Sequence, residues 1–211
     1  MSIKIGIVDY GTGNVKSIKR ALDRCGVESI LTSSEMDIEK CDGIILPGVG
    51  AFKHAKEELN KLGLVEIIKK YVKTRPILGI CLGMQLLFEK SYENGEIEGL
   101  ALIPGDVRPL KEKIKNGKVP NIGWYKLSNI SEDSLVSSNL NAEYYFVHSY
   151  YVSPTDEKCI VGKVEYNGFS YSVAIEHNNI FGCQFHPEKS REVGLDIIRN
   201  FIEACVKEKN V

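Results

Sequence analysis

Short apolar runs alternate with stretches of helical spacing through the first half of the chain. Four runs rich in β-branched residues predict buried strands, at residues 3–8, 28–31, 43–46 and 77–80. Apolar residues that recur every three or four positions predict helices, at residues 15–25, 52–62, 64–72 and 82–88. Because strands that alternate with helices form right-handed βαβ units, we expect an α/β fold with a mostly parallel twisted sheet flanked by helices.

The spacing changes after residue 97, where short runs are broken by Gly, Asn and Pro. These runs predict further strands, some antiparallel, at residues 144–147, 158–166, 170–176 and 180–185. The Ser/Asn/Asp-rich stretch 131–142 predicts an exposed loop, and helical spacing over residues 193–205 predicts a last helix. With no repeat or linker, we expect one domain over residues 1–211, an α/β core with a β-rich extension.

Length and charge exclude several classes of protein. The chain has 211 residues, enough for one domain to bury a core without disulfide or metal support, and its formal net charge is −1. This charge lacks the basic excess of a nucleic-acid-binding domain, so no nucleic-acid partner is expected. The longest apolar stretch, residues 76–88, is too short to span a membrane and contains Gln85, so no membrane association is expected either.

The cysteines and the first residues indicate a reducing compartment. Six cysteines are scattered without C-x-x-C spacing, which argues against a metal site and a disulfide framework. The opening Met-Ser-Ile-Lys lacks the features of a secretory signal, so reduced thiols and a cytoplasmic location are expected. The Gly-Thr-Gly at 11–13 is a weak nucleotide-binding candidate, because Lys16 occupies the third glycine position of that fingerprint. No cofactor is expected.

The sharpest chemical motif is Gly-Ile-Cys-Leu-Gly at residues 79–83, between a predicted strand and a predicted helix. It has the form of a nucleophile elbow, in which flanking glycines let the backbone come close around a strained nucleophile. A thiol here would also benefit from the helix N-terminus, which favours the reactive thiolate. The alternative is a glycine-flanked core cysteine. Cys81 is thus a candidate nucleophile.

A thiol nucleophile needs a base and a group that orients the base. Of the four histidines, His54 lies among charged helical residues and His177 in a predicted turn, so both are expected to be solvated. His186 follows an apolar strand, where catalytic groups of α/β proteins usually lie. Glu188, two residues on, can accept a hydrogen bond from the imidazole, as the third member of a triad does. The alternative is a capping histidine beside a surface glutamate.

Acyl transfer also requires hydrogen-bond donors where negative charge develops on the carbonyl oxygen. Gly48, Val49 and Gly50 follow a predicted strand and can turn backbone N–H groups into a site. The amide of Leu82, directly after the candidate nucleophile, would be a further donor. Without the other motifs, an ordinary glycine turn would explain residues 48–50 equally well.

Together these motifs resemble the class I glutamine amidotransferases, whose fold is flavodoxin-like. Three segments carry the resemblance in this order: Pro-Gly-Val-Gly at 47–50, Gly-Ile-Cys-Leu-Gly-Met-Gln at 79–85 and Gln-Phe-His-Pro-Glu at 184–188. Further segments resemble the subfamily of glutaminase subunits of imidazole glycerol phosphate synthases, from histidine biosynthesis: residues 9–14, 122–124, 146–150 and 187–190. The resemblance covers nearly the whole chain.

The resemblance implies roles for individual residues. Cys81 would attack the carboxamide of glutamine and form a γ-glutamyl thioester, His186 would protonate the departing ammonia and then activate water, and Glu188 would hold His186. Four positions match residues that bind L-glutamine or lie beside it: Gln85, Glu93, Ser149 and Tyr150. Glu93 would face the α-amino group. The alternatives are a solvated Gln85 in a first helical turn and an exposed Glu93 among other carboxylates.

The resemblance also implies a partner. Asn14, Trp124 and Lys189 match positions at the interface with a (β/α)₈-barrel cyclase subunit in a heterodimer. Ammonia would pass through this barrel to its acceptor, giving imidazole glycerol phosphate and the ribotide AICAR. Without the resemblance, Trp124 would equally be a core residue and Lys189 an ordinary surface lysine.

Three other interpretations remain open. Tyr125 stands where the family often has asparagine, which leaves open which partner the chain binds. Paralogous glutaminase subunits with nearly the same motifs feed ammonia to sugar amidotransferases of surface-polysaccharide biosynthesis. A thiol peptidase-like hydrolase would keep Cys81 and His186 but has no use for Gln85 and Glu93. A non-catalytic regulatory module would have no need of a complete Cys-His-Glu set.

Overall fold

The computed structural model describes residues 3–115, 117–132, 134–137 and 141–209. Within them lie six α-helices, α1 (Val15–Arg24), α2 (Glu35–Ile38), α3 (Phe52–Lys61), α4 (Leu64–Tyr71), α5 (Leu82–Leu86) and α6 (Arg191–Lys209). The same residues form thirteen strands, β1 (Lys4–Val8), β2 (Glu28–Thr32), β3 (Gly43–Leu46), β4 (Ile77–Ile80), β5 (Phe88–Ser91), β6 (Ile97–Glu98), β7 (Ile103–Pro109), β8 (Asn121–Lys126), β9 (Glu143–His148), β10 (Tyr150–Pro154), β11 (Ile160–Tyr166), β12 (Phe169–His177) and β13 (Ile180–Cys183).

One half of the main sheet is parallel, as the βαβ pattern predicts. Its strands run in the order β2-β1-β3-β4-β13, and each neighbouring pair is parallel. In the last pair, Ile80 of β4 lies opposite Cys183 of β13. Because parallel strands end at the same edge of a sheet, this register brings the residues after β4 and β13 together. The nucleophile elbow and the histidine motif therefore meet.

The β-rich extension continues this sheet from β13. The strands run on in the order β12-β10-β7-β5-β6, with β11 beside β12, and all of these pairings except β5 with β7 are antiparallel. Strands β8 and β9 form a separate antiparallel pair. The predicted fold class, an α/β core with a β-rich extension, is confirmed.

Two buried apolar clusters cover the faces of the parallel strands. One contains Ile45 and Leu78 with the inner residues of α1 and α6, and the other contains Ile44 and Ile77 with those of α3 and α4. Neighbouring residues of one strand thus belong to opposite clusters, because successive side chains of a strand point to opposite faces. Helices on both faces bury the parallel strands and hold their carboxyl ends in place.

Two local predictions are wrong. The helix expected over residues 82–88 ends at Leu86, because Phe88 pairs with Ile103 of β7 and starts a strand. The stretch 131–142 is not an exposed loop throughout, since Leu135 and Val136 are buried in the core. The Leu135 carbonyl accepts a hydrogen bond from Asn200 at 2.8 Å. Residues 133 and 138–140 of that stretch lie outside the described residues.

Among the described residues, no helix combines the length and the apolar character that crossing a membrane requires.

Candidate active site

Cys81 lies at a sharp turn between β4 and α5. Its φ is 55° and its ψ is −111°, a strained backbone conformation that is rare for a residue with a side chain. A Cβ atom on Gly83 would lie 1.9 Å from the carbonyl oxygen of Leu46, so only glycine permits this approach of α5 to the end of β3. These features confirm that the motif at 79–83 is a strained strand-to-helix turn.

His186 and Glu188 follow β13, the strand beside β4. The Nδ1 atom of His186 lies 2.9 Å from Oε1 of Glu188, and their side chains are 2% and 0% exposed. Asn14 donates a hydrogen bond from Nδ2 to the same oxygen at 3.4 Å. Glu188 thus fixes the imidazole through Nδ1. Asn14 also contacts this carboxylate, although the resemblance assigns Asn14 to the interface with a partner.

The environment of His186 favours its protonated form. Burial by itself lowers the pKa of the imidazole, but the neighbouring Cys81 and Glu188 side chains outweigh burial and raise the pKa to about 10. An imidazolium beside a thiol stabilises the thiolate. Nε2 of His186 is buried and has no hydrogen-bond partner among the described residues. This nitrogen is therefore available for proton transfer, and the pair suits nucleophilic catalysis.

Cys81 and His186 line a cavity of about 270 Å³, a size that suits a small molecule. Most residues assigned by motif or resemblance to glutamine and its oxyanion line the same cavity: Val49, Gly50, Leu82, Gln85, Glu93, Ser149 and Tyr150. Gly48 is the exception. It is buried beside the cavity, and a Cβ atom on it would lie 2.7 Å from the amide nitrogen of Gly83.

Three residues of the cavity wall have no predicted role: Pro120, Val147 and His148. His148 is 6% exposed, and its Nδ1 lies 2.9 Å from the Tyr150 carbonyl oxygen. Burial lowers the pKa of His148 to about 4, so this imidazole is neutral near pH 7. Its position at the end of β9 is the signal that could have identified it, because strand ends beside a site often carry functional groups.

Gln85 and Glu93 each make a contact that the sequence does not predict. Gln85 is 5% exposed, which excludes a solvated side chain, and its Nε2 donates to the Tyr150 carbonyl oxygen at 3.2 Å. Glu93 accepts a hydrogen bond from the backbone N–H of Phe52 at 2.7 Å. Phe52 is the first residue of α3, and Ala51 before it offers no side-chain cap. Glu93 therefore caps the helix that follows the glycine turn.

Aromatic and basic side chains form a surface beside Glu188. Lys189 lies with Nζ 5.7 Å from the ring centre of Tyr145, whose ring is 5.6 Å from that of Trp124. The Arg191 guanidinium lies 4.8 Å from the Trp124 ring centre, and Trp124 is 38% exposed. We call Tyr145, Trp124, Lys189 and Arg191 the aromatic–basic surface. Exposed Trp, Tyr and Arg side chains are enriched at protein interfaces, so Trp124, Tyr145 and Arg191 suit such a role.

Tyr125 faces away from this surface. It follows Trp124 in β8, so its side chain points to the opposite face of the strand. Its ring packs edge-on against Phe146 and Tyr166, at 5.8 and 5.7 Å between ring centres. The position that departs from the family pattern is therefore part of the packing behind β8.

Of the other two histidines, His54 is exposed, as predicted. His177 is half-buried and is the last residue of β12, so the predicted turn starts one residue later.

Comparison with known proteins identifies the family. A family model described as glutamine amidotransferase class-I matches residues 6–205. The chain is 45% identical to imidazole glycerol phosphate synthase subunit HisH of Caldanaerobacter subterraneus subsp. tengcongensis, over 94% of this chain and 97% of that protein. It is 40% identical to subunit HisH 1 of Campylobacter jejuni subsp. jejuni, over 93% of this chain and 98% of that protein.

Solved structures share the fold at low sequence identity. PurLQS from Thermotoga maritima superposes with a TM-score of 0.71 at 18% identity, over 96% of this chain and 99% of that one. A structure described as a glutamine amidotransferase gives 0.73 at 17% identity, over 96% of this chain and 98% of that one. The chain therefore belongs to the class I glutamine amidotransferase family, and within it to the relatives of the HisH subunits.

Proposed function

We propose that this protein is the glutaminase subunit of an imidazole glycerol phosphate synthase in histidine biosynthesis, and that it hydrolyses glutamine to glutamate and ammonia. The observation that carries the proposal is the shared cavity, in which Cys81 and His186 meet the residues assigned to glutamine. Identities of 40–46% to HisH subunits over nearly the full length support the pathway.

The chemistry follows from the contacts of the triad. The sulfur of Cys81 attacks the carboxamide carbon of glutamine, and backbone N–H groups of Leu82 and of residues 48–50 stabilise the oxyanion. His186 gives a proton to the nitrogen as the C–N bond breaks, which leaves a γ-glutamyl thioester and ammonia. Water then attacks the thioester with His186 as base, and glutamate leaves as the C–S bond breaks. Glu188 orients the imidazole in both steps.

Variants at Glu93 are expected to separate its role as the cap of α3 from its proposed role in binding the α-ammonium group of glutamine. Glu93→Gln keeps an acceptor for the Phe52 N–H but loses the charge that attracts the α-ammonium group, so we expect KM to rise about tenfold to a hundredfold with kcat nearly unchanged. Glu93→Ala also removes the cap, so kcat is expected to fall as well. Steady-state glutaminase kinetics of both variants measure this difference. Equal kcat values for the two would contradict a role of the cap in catalysis.

We also propose that the aromatic–basic surface and Asn14 contact a (β/α)₈-barrel cyclase subunit that receives the ammonia. The names of the HisH relatives describe them as subunits of a synthase, which supports an assembly. The surface adjoins the triad, since Lys189 follows Glu188 directly in the chain. Ammonia released at Cys81 would thus have a short path into a partner bound there.

Trp124→Ala is expected to weaken the complex without damaging the triad. Tryptophan is enriched among the hot-spot residues of interfaces, each of which contributes about 2 kcal/mol or more, so the Kd for the cyclase subunit is expected to rise about thirtyfold. Titration calorimetry measures the Kd, and hydrolysis by the isolated subunit should be unchanged. Met36→Ala is the matched control, because Met36 is an apolar side chain that is 68% exposed on α2. An unchanged Kd for Trp124→Ala would remove this surface from the interface.

The acceptor of the ammonia distinguishes the remaining alternatives. Co-purification with the native partner, followed by an assay of imidazole glycerol phosphate formation from glutamine, tests the proposal directly. A sugar amidotransferase as the co-purifying protein would favour the surface-polysaccharide alternative. Peptide hydrolysis without glutamine turnover would favour a thiol peptidase, which the positions of Gln85 and Glu93 in the cavity wall disfavour.

We propose further that residues 1–211 act as one domain in the cytoplasm. The family model covers most of the chain, and both apolar clusters lie on one sheet. All six cysteines are free, which suits a reducing compartment.

A further inference from the structure

Gln184 lies directly beside the sulfur of Cys81. It follows β13, is 0% exposed, and its Nε2 atom is 3.5 Å from Sγ of Cys81. The two strands hold it there, because the backbone N–H of Cys81 donates to the Cys183 carbonyl oxygen at 2.8 Å. The triad mechanism gives this buried amide no role.

The hydrogen-bond network determines which end of the Gln184 amide faces the sulfur. Nε2 of Gln85 donates to the Tyr150 carbonyl oxygen at 3.2 Å and to Oε1 of Gln184 at 2.9 Å. A carbonyl oxygen only accepts, so the NH₂ group of Gln85 must point toward Tyr150. Because the same NH₂ group also faces the amide of Gln184, the Gln184 atom next to it must be the acceptor, Oε1. The NH₂ group of Gln184 is left facing Cys81.

His148 belongs to the same hydrogen-bond network, and its contacts agree with the donor and acceptor roles assigned to Gln85 and Tyr150. The neutral ring donates from Nδ1 to the same Tyr150 carbonyl oxygen at 2.9 Å. Its Nε2 therefore accepts from the hydroxyl of Tyr171 at 3.1 Å, and that hydroxyl oxygen accepts from Nδ2 of Asn121 at 3.0 Å. Asn121 and Tyr171 are 0% and 3% exposed, so water cannot easily replace these donors.

We propose that Gln184 is a further catalytic residue, whose side-chain N–H donates a hydrogen bond to the sulfur of Cys81 and stabilises the thiolate. A donor to a charged acceptor is worth more than a donor to a neutral one, so the contact favours the thiolate over the thiol. The carbonyl oxygen of Val147, 3.9 Å from Sγ, acts in the opposite sense because it accepts from the thiol. The benefit to glutamine turnover rests on the proposed function, whereas the effect on the sulfur does not.

Alkylation of Cys81 by iodoacetamide across a range of pH tests the proposal without glutamine. The Cys81 peptide is quantified by mass spectrometry, because five other cysteines are present. Gln184→Met removes the donor at similar volume. We therefore expect the pH at which the alkylation rate is half-maximal to rise by about one unit, and the rate at pH values below this midpoint to fall about tenfold. The titratable groups around the sulfur are unchanged in the variant: Tyr10, Glu93, His148, Cys183, His186 and Glu188.

Tyr171→Phe is the matched control. It breaks the network at Tyr171 and leaves the Gln184 donor in place, so its alkylation profile should match the unmodified protein. An unshifted Gln184→Met profile, or an equal shift in both variants, would overturn the proposal. If thermal unfolding shows that Gln184→Met does not fold, Gln184→Glu replaces it in the alkylation experiment. The carboxylate of this variant removes the donor and adds negative charge beside the sulfur. Its shift should be at least as large, and no shift would again overturn the proposal.

Discussion

Replacing Cys81 with alanine is expected to lower glutamine hydrolysis by about 10³-fold or more, because no thioester can form without the sulfur. The cavity should survive, since Cys81 is only 7% exposed and alanine needs less space. A complex with the proposed cyclase subunit should still use free ammonia, because that route does not involve the sulfur. Glutamine-dependent and ammonia-dependent product formation, measured in the same complex, check both expectations.

Cys159→Ala is a suitable control for loss of a buried thiol. Cys159 is 4% exposed in a short helical turn before β11 and does not line the cavity, so its variant should keep glutaminase activity. Persistent glutamine hydrolysis by Cys81→Ala would end the proposed mechanism. Failure of free ammonia to restore product formation would instead indicate that Cys81→Ala damages the complex.

Replacing Gly83 with alanine is expected to damage both stability and activity. The new Cβ would lie 1.9 Å from the Leu46 carbonyl oxygen, which is backbone and cannot rotate away. Overpacking of this kind costs about 1–3 kcal/mol, and a clash with backbone belongs at the upper end of that range. Relief of the clash requires α5 to move away from the end of β3, which separates Leu82 from residues 48–50. We expect kcat to fall about a hundredfold or more, because the proposed oxyanion donors lose their alignment.

Gly162→Ala is the matched control for Gly83→Ala. The new Cβ would meet only side-chain atoms, the nearest 3.3 Å away. The urea concentration at the unfolding midpoint of this variant should therefore be close to that of the unmodified protein. Urea unfolding and kcat in the complex measure the two effects of Gly83→Ala separately. Normal stability with normal kcat would mean that the approach of α5 to β3 is not needed for catalysis.

Local sequence determines much of this protein. The alternation of apolar runs and helical spacing predicts the parallel strands, because burial on both faces requires β4 and its neighbours to be continuously apolar. The glycines around Cys81 predict a strained turn, because few other residues permit such close backbone contact. The short spacing of His186 and Glu188 lets one segment supply both groups. These features depend on neighbours in the chain, so the sequence alone specifies them.

Contacts between distant segments could not be predicted in the same way. Gln184 reaches the sulfur of Cys81 across 103 positions, and Glu93 caps α3 across 41 positions. Both contacts depend on the register of strands and on the path of a turn, which local spacing does not encode. For the same reason, Phe88 leaves a helical pattern to pair with β7, and Leu135 is buried within a polar stretch. Tertiary packing overrides local preference at these positions because burial and pairing there outweigh the small energies of propensity.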